Sequence, residues 1–342
     1  MKNRLLLLVM CAVMAVGMIS CGNPAEPEEF TLTTENVNDY ITSIGKYEGL
    51  TIDVKRTEMT DELIQNYTES FFSKQAESIT GWVADRGDTV RINYTGVFGG
   101  EEESTISGKT QDVVIGKNTH ISGFEEALVG TVAGDHVEFT LTYPADYLDA
   151  NLAGRDCSFS VDVVAVIPKL SDASVKALGS DVYSNEKEYR VFVRNTLETF
   201  TDNDYRAGVV KAVIKRVAAN SVFKELPAGF IATAEDYIKK LYEDTAAKYN
   251  VDVAEYLELC DTSLAVEARE YARQQLVIYK IAVDQGLQVS DEELDKIAGE
   301  YVDYYDEYDS LASFYAANPK EELREKTMSK KVSDYILSVT NQ

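Results

Sequence analysis

The sequence predicts an α+β chain in which an antiparallel sheet with one short helix is followed by an all-α region. Three observations lead to that class. Between Gly87 and Pro168 apolar residues recur with period two, in Val90-x-Ile92-x-Tyr94, Val137-x-Phe139-x-Leu141 and Phe159-x-Val161-x-Val163, as half-buried strands require. From Ser171 onward the period becomes 3.6, as in Tyr189, Val193 and Leu197, which is the stripe of an amphipathic helix. The length of 342 residues exceeds one ordinary core and fits two or three domains.

Taken in order, residues 1–20 read as a targeting segment. Lys2 and Arg4 precede an apolar run, Leu5 to Ile19, that is too short to span a bilayer comfortably. The order Met18-Ile19-Ser20-Cys21 resembles a bacterial lipoprotein processing box, which implies lipidation at Cys21 and work outside the cytoplasm. A plain secretory signal that happens to hold a cysteine is the alternative. Residues 21–35 contain Pro24 and Pro27 among acids and read as an extended linker.

Residues 36–84 read as a strand–helix arm. Tyr47-Glu48-Gly49-Leu50-Thr51-Ile52-Asp53-Val54 alternates, and Thr60 can cap a helix whose first turn holds Asp61 and Glu62. Leu63, Tyr67, Phe71 and Phe72 mark that helix's apolar face. The sheet module, 85–168, opens on the turn Gly87-Asp88. Thr89 to Val97 follows, then an acidic hairpin tip, Gly99 to Glu103, and the strand and turn Val113-Val114-Ile115-Gly116. Ser122 to Leu128 can open a short helix closed by Gly130.

Residues 169–342 read as helices. Ser184 can cap a helix carrying Tyr189, Phe192, Val193, Leu197 and Phe200 on one face, continued by Val210, Val213, Ile214 and Val217. Pro227 precedes a second helix, and a third spans about Leu264 to Gly286. Ser290-Asp291-Glu292-Glu293 fits a capping box, and Asn318-Pro319 offers a cap and a first-turn proline to the last helix. These helices read as amphipathic arms, each burying one face. Tyr301 to Asp309 mixes rings with carboxylates. One reading packs the rings inward; the other makes them an adaptable surface for unfolded chains.

Composition narrows the chemistry. The formal charge of −25, from 58 acidic against 33 basic residues, repels phosphate backbones and argues against nucleic-acid partners. His120 and His136 are the only two histidines, and no CxxC occurs, so neither a metal site nor a histidine-dependent hydrolase is expected. Cys157 and Cys260 fall in different predicted domains and are expected to be buried free thiols.

The stretch Gly87-Asp88…Tyr94-Thr95-Gly96…Ile121-Ser122-Gly123-Phe124-Glu125 resembles the FKBP-type peptidyl-prolyl isomerases. With Tyr47-Glu48-Gly49-Leu50 before it, Pro144…Tyr147…Asn151-Leu152 within it and the helical tail after it, residues 36–342 resemble the trigger factor family. In place of that family's ribosome-binding domain stands the lipoprotein-like signal, so no ribosome partner is expected. The resemblance implies a proline pocket with Tyr94, Ile121, Phe124 and Tyr147 as catalytic residues. Val113, Ile115, His120 and Phe159 would complete the substrate contacts. Phe124 would lie under the proline ring, the Ile121 backbone would meet the substrate, and the Tyr147 hydroxyl would face a substrate carbonyl. No cofactor is implied. His120 stands where the family has an aliphatic residue, and Glu103 or Ser104 where it has a phenylalanine, both of which make the pocket wetter.

The expected function is therefore prolyl isomerisation and chaperoning of unfolded or nascent exported polypeptides, at X–Pro segments, from a lipid-anchored position on the envelope. The alternatives are a holdase without isomerase activity and a structural lipoprotein subunit of an envelope assembly.

Overall fold

The computed structural model describes residues 30–98, 101–305 and 307–341, with the side chains of residues 101–105 excepted. The signal segment, Cys21 and the Gly99-Gly100 turn lie outside the described residues. The chain divides into two compact units. Residues 58–199 form one, and residues 30–57 with 200–341 form the other.

The first unit is built on a four-stranded antiparallel sheet. Its strands are β2 (Thr89–Phe98), β3 (Glu101–Val114), β4 (His136–Thr142) and β5 (Asp156–Ile167), in the order β3-β2-β5-β4; β1 (Ile41–Ser43) belongs to the other unit. Register aligns the apolar alternation on one face, with Val90 opposite Val113, Tyr94 opposite Val161, and Phe139 opposite Phe159. One face is thus apolar and the other polar. The buried carboxylate of Asp88 fastens the sheet's base. It accepts from Trp82 Nε1 at 2.9 Å, Asp85 N at 3.0 Å and Lys169 N at 2.8 Å, joining the start of β2 to the chain just after β5. Between β3 and β4 the expected short helix is a single 3-10 turn, Glu126–Leu128.

Helix α1 (Asp61–Ala76) starts as expected, with Thr60 Oγ1 accepting from Leu63 N at 3.1 Å. Its buried stripe is Ile64, Thr68, Phe72 and Ala76; Leu63, Tyr67 and Phe71 are half-buried. Phe72 packs with Ile167, Val175 of α2 (Asp172–Ala177), and Tyr189 and Val193 of α3 (Glu186–Ala219). The cap of α3 is Asn185, whose Oδ1 accepts from Glu188 N at 3.0 Å, one residue beyond Ser184. Phe200 is 50% exposed, contrary to expectation. Steps of four from Tyr189 reach Val193, Leu197 and Thr201, which leaves Phe200 beside the buried stripe.

The second unit is mainly helical. The 200–219 half of α3 supplies Val209, Val210, Val213, Ile214 and Val217 to its core. Around these pack α4 (Ala228–Lys248), α6 (Leu264–Asp284) and α9 (Lys320–Val339), through Phe230, Leu276, Ile281, Val332 and Ile336. Helices α5 (Val253–Leu259), α7 (Asp291–Tyr304) and α8 (Leu311–Ala317) complete it. A two-stranded pairing of β1 (Ile41–Ser43) with β6 (Val222–Phe223) adds to the helices. The segment 47–54 alternates in burial but is not a strand; its one ladder contact is a bridge from Thr51 to Asn341. Leu50, Ile52 and Val54 lie against the helical core, which satisfies the alternation without a partner strand.

Two caps differ from expectation. Ser290 Oγ accepts from Glu293 N at 3.2 Å, but the Glu293 carboxylate meets Lys331 Nζ at 2.6 Å instead of closing the box. Asn318 closes α8, donating from Nδ2 to the Phe314 carbonyl, while α9 starts on Pro319 without a side-chain cap. The Tyr301–Asp309 stretch leaves the helix at Tyr304, and its rings divide: Tyr304 is exposed, while Tyr301, Tyr305 and Tyr308 are half-buried. Tyr301 and Tyr308 meet buried Phe314 at 5.4 and 5.1 Å. Both Cys157 and Cys260 are free, but only Cys157 is buried; Cys260 is exposed at the end of α5. No helix among the described residues is long and apolar enough to cross a membrane.

Candidate functional site

The apolar face of β2, β4 and β5 meets residues 121–128 in one cluster. Val113, Ile115, Phe124 and Phe159 are buried in it, with Tyr94 and Ile121 packed against them. Phe124 is its hub. Tyr94, Phe139 and Phe159 meet the Phe124 ring at 5.8, 5.4 and 5.1 Å, inclined by 76°, 81° and 85°. These are edge contacts, in which the positive rim of one ring meets the negative face of another. His120 alone lies parallel to it, with centroids 5.0 Å apart and planes within 16°. Phe124 is 2% exposed, so the expected platform is covered.

Gly123 makes that placement possible. Its φ of +93° belongs to the region glycine adopts freely. An added Cβ would lie 2.8 Å from Leu141 Cδ2. Phe124 N donates to the Ile121 carbonyl at 3.1 Å, closing the turn that presents both side chains.

Glu125, the next residue, is a functional candidate to which the motif reading gave no role. Its carboxylate is 3% exposed and filled with donors. Oε2 accepts from Gly116 N at 2.9 Å and Asn118 N at 2.8 Å. Oε1 accepts from Thr119 N at 2.8 Å and from Thr119 Oγ1 at 3.2 Å. The backbone N–H and Nδ1 of His120 lie at 3.4 and 3.3 Å from the same oxygen. Burial by itself would raise this carboxyl, but the donors from Asn118, Thr119, His120 and Gly116 prevail and hold it at about 2. Glu125 thereby fixes the 116–120 loop and, through it, the imidazole over Phe124. The signal in the sequence was an acid directly after the apolar Phe124. Phe139 was also missed, although its place in the Val137-Phe139-Leu141 alternation put it on the buried face.

Tyr147 stands apart. It is 40% exposed at the rim, and its ring meets Tyr143 edge-on at 4.8 Å. Tyr143 is itself buried against Phe98, and that burial pushes its hydroxyl up to about 12, so it stays a neutral donor. The structure thus gathers Tyr94, Val113, Ile115, His120, Ile121, Phe124 and Phe159 into one cluster and sets Tyr147 at its edge.

The second histidine lies on the sheet's polar face. His136 Nδ1 is 2.7 Å from Asp162 Oδ1, and Nε2 is 3.4 Å from Ser160 Oγ and 3.7 Å from Glu138 Oε1. This has the residue types of a hydrolytic triad. The hydrogen bond to Asp162 and the nearby Glu138 raise the imidazole's pKa, and His136 and Asp162 are both more than half exposed. The group reads as an exposed polar ladder between β4 and β5.

Comparisons with known proteins agree on one family. Residues 81–171 match FKBP-type peptidyl-prolyl cis-trans isomerase, and residues 187–338 match the bacterial trigger factor protein C-terminus. The trigger factor of Streptococcus equi subsp. zooepidemicus is 30% identical over 291 residues, covering 80% of this chain and 68% of that protein. The trigger factor of Halothermothrix orenii is 29% identical over 265 residues. That of Limosilactobacillus reuteri is 27% identical over 266 residues, and this chain spans 61% of its length. A solved trigger factor chaperone superposes with a TM-score of 0.39 at 19% identity, covering 86% of this chain and 72% of that one. The chain belongs to the trigger factor family, with an FKBP-type peptidyl-prolyl cis-trans isomerase domain over residues 81–171 and a trigger factor C-terminal domain over residues 187–338.

Proposed function

We propose that this chain isomerises X–Pro bonds and shields unfolded polypeptides exported to the cell envelope. The observation that carries the isomerase half is the ring cluster centred on Phe124. An X–Pro bond resists rotation by about 20 kcal/mol, through amide resonance. In the twisted state that resonance is lost and the amide's charge separation falls, so a dry apolar well favours it over either planar form. No covalent bond is made or broken. Tyr94, Phe124 and Phe159 would wall the prolyl ring, with Val113 and Ile115 behind them. The turn Ile121-Ser122-Gly123 would meet the substrate backbone, and Tyr147 would offer a hydroxyl from the rim.

The chaperone half is supported by the C-terminal family match and by exposed apolar side chains on α4–α6. Leu241, Tyr249, Leu259 and Val266 are each more than half exposed, available to unfolded segments. The envelope location is supported by the sequence alone, in Lys2, Arg4, the Leu5–Ile19 run and Cys21.

A proline-limited peptide isomerisation assay and an aggregation-suppression assay, each on wild type and Phe124→Ala, test the two halves. The reading expects isomerase activity that Phe124→Ala abolishes while suppression persists. Equal inactivity of both proteins, with suppression intact, would leave a holdase, a reading favoured by the imidazole covering Phe124. For location, Cys21→Ser should move the protein from the membrane fraction to the soluble one; an unchanged distribution would refute the anchor.

A further inference from the structure

We propose that His120 is a gate that sets the affinity of the well, its imidazole occupying the face of Phe124 on which a prolyl ring would pack. This inference rests on reading the Phe124 cluster as the X–Pro site.

Three observations lead to it. First, His120 is the one of these four rings that lies parallel to Phe124, stacked at 5.0 Å, whereas Tyr94, Phe139 and Phe159 meet it at steep angles. Second, the His120 side chain is 35% exposed while Phe159 is buried and Tyr94 and Phe139 are half-buried. Displacing His120 therefore disturbs the least packing and is the natural way to open Phe124. Third, the imidazole is tethered, with Nδ1 at 3.1 Å from Thr119 Oγ1 and 3.3 Å from the buried Glu125 carboxylate.

A client must therefore exchange one stacked ring for another and release His120 from its tether. The exchange costs affinity for any X–Pro segment, and more for one with few other contacts to compensate. An aliphatic residue at position 120 would impose neither the tether nor the parallel ring. The gate thus lowers binding to casual proline-containing segments without removing any part of the well.

The test uses the full chain with a tetrapeptide carrying a central Leu-Pro bond. His120→Ala should bind it between about two- and tenfold tighter than wild type, the range one aromatic contact spans. His120→Phe, which keeps a covering ring, should not gain. Equal or weaker binding by His120→Ala would overturn the gate. A second readout needs no variant at the site. With only two histidines in the chain, the His120 ring resonances can be assigned by comparison with His136→Ala. In free protein they should carry the ring-current shift of a stacked partner and lose it on saturation with peptide; an unchanged shift in the saturated complex would overturn the gate. The outcomes separate from the isomerase reading. If His120→Ala binds tighter but neither protein speeds isomerisation, the gate stands and the isomerase reading falls. If isomerisation is efficient and His120→Ala binds no better, the gate falls alone.

Discussion

Replacing Glu125 with glutamine should loosen the floor of the site at neutral pH and do almost nothing in strong acid. The carboxylate takes backbone N–H donors on both oxygens, from Gly116 and Asn118 on one and from Thr119 on the other. Glutamine keeps the volume but turns an NH2 group toward one of these donor sets, leaving buried N–H groups without an acceptor. The size follows from the carboxyl itself. Held at about 2 instead of the usual 4.5, it contributes about 3 kcal/mol to the folded state, at roughly 1.4 kcal/mol per tenfold in proton affinity. At 3% exposure, solvent screening takes little of this away. The sign follows from the direction. A carboxyl lowered on folding stabilises fully above about pH 4.5, and that contribution disappears as pH falls toward about 2. Trp82 is the chain's one tryptophan and donates to Asp88 at 2.9 Å, so its fluorescence reports on the sheet unit. Urea titrations at pH 7 should show Glu125→Gln less stable by about 3 kcal/mol, a midpoint shift of about 1 to 3 M. At pH 3 the gap should be clearly smaller. A gap that stays constant from pH 7 to 3, or one below about 1 kcal/mol at pH 7, would refute the cradle.

Other outcomes follow from single contacts. Gly123→Ala puts a Cβ 2.8 Å from Leu141 Cδ2 at a φ of +93°, and should cost about 1 to 3 kcal/mol and weaken proline-peptide binding. Native alkylation followed by mass spectrometry should label the exposed Cys260 quickly and spare the buried Cys157, whose thiol is pushed up by burial; equal labelling would contradict the packing of β5. By NMR titration His136 should have a midpoint raised above that of an unperturbed histidine, and Asp162→Asn should lower it. Because its affinity is raised on folding, any stability it adds is present below the unfolded-state midpoint and fades as pH rises through the folded one.

Much of the fold was legible because local rules governed it. Thr60 capped its helix, and the alternations at 89–97, 137–141 and 159–163 became neighbouring strands of one sheet. Where local rules met competing partners, the outcome changed. Ser290 and Glu293 have the residues of a capping box, but Lys331 takes the carboxylate. Asn318 can cap either of two helices and closes the earlier one. At the site, the resemblance brought out seven residues that do cluster, but Glu125, though part of the motif, was given no role because its donors come from a loop with no motif of its own.

By itself the sequence determined the periodicities, the starts of several helices, and the family. These depend on residues a few positions apart, where backbone geometry leaves little choice. Only the tertiary structure decided that the alternating segment 47–54 lies against helices with a single bridge, that Cys260 is exposed, and that His120 covers Phe124. Each of these turns on which distant surface fills the space beside a side chain. Alternation states that one face is buried, and only packing states by what.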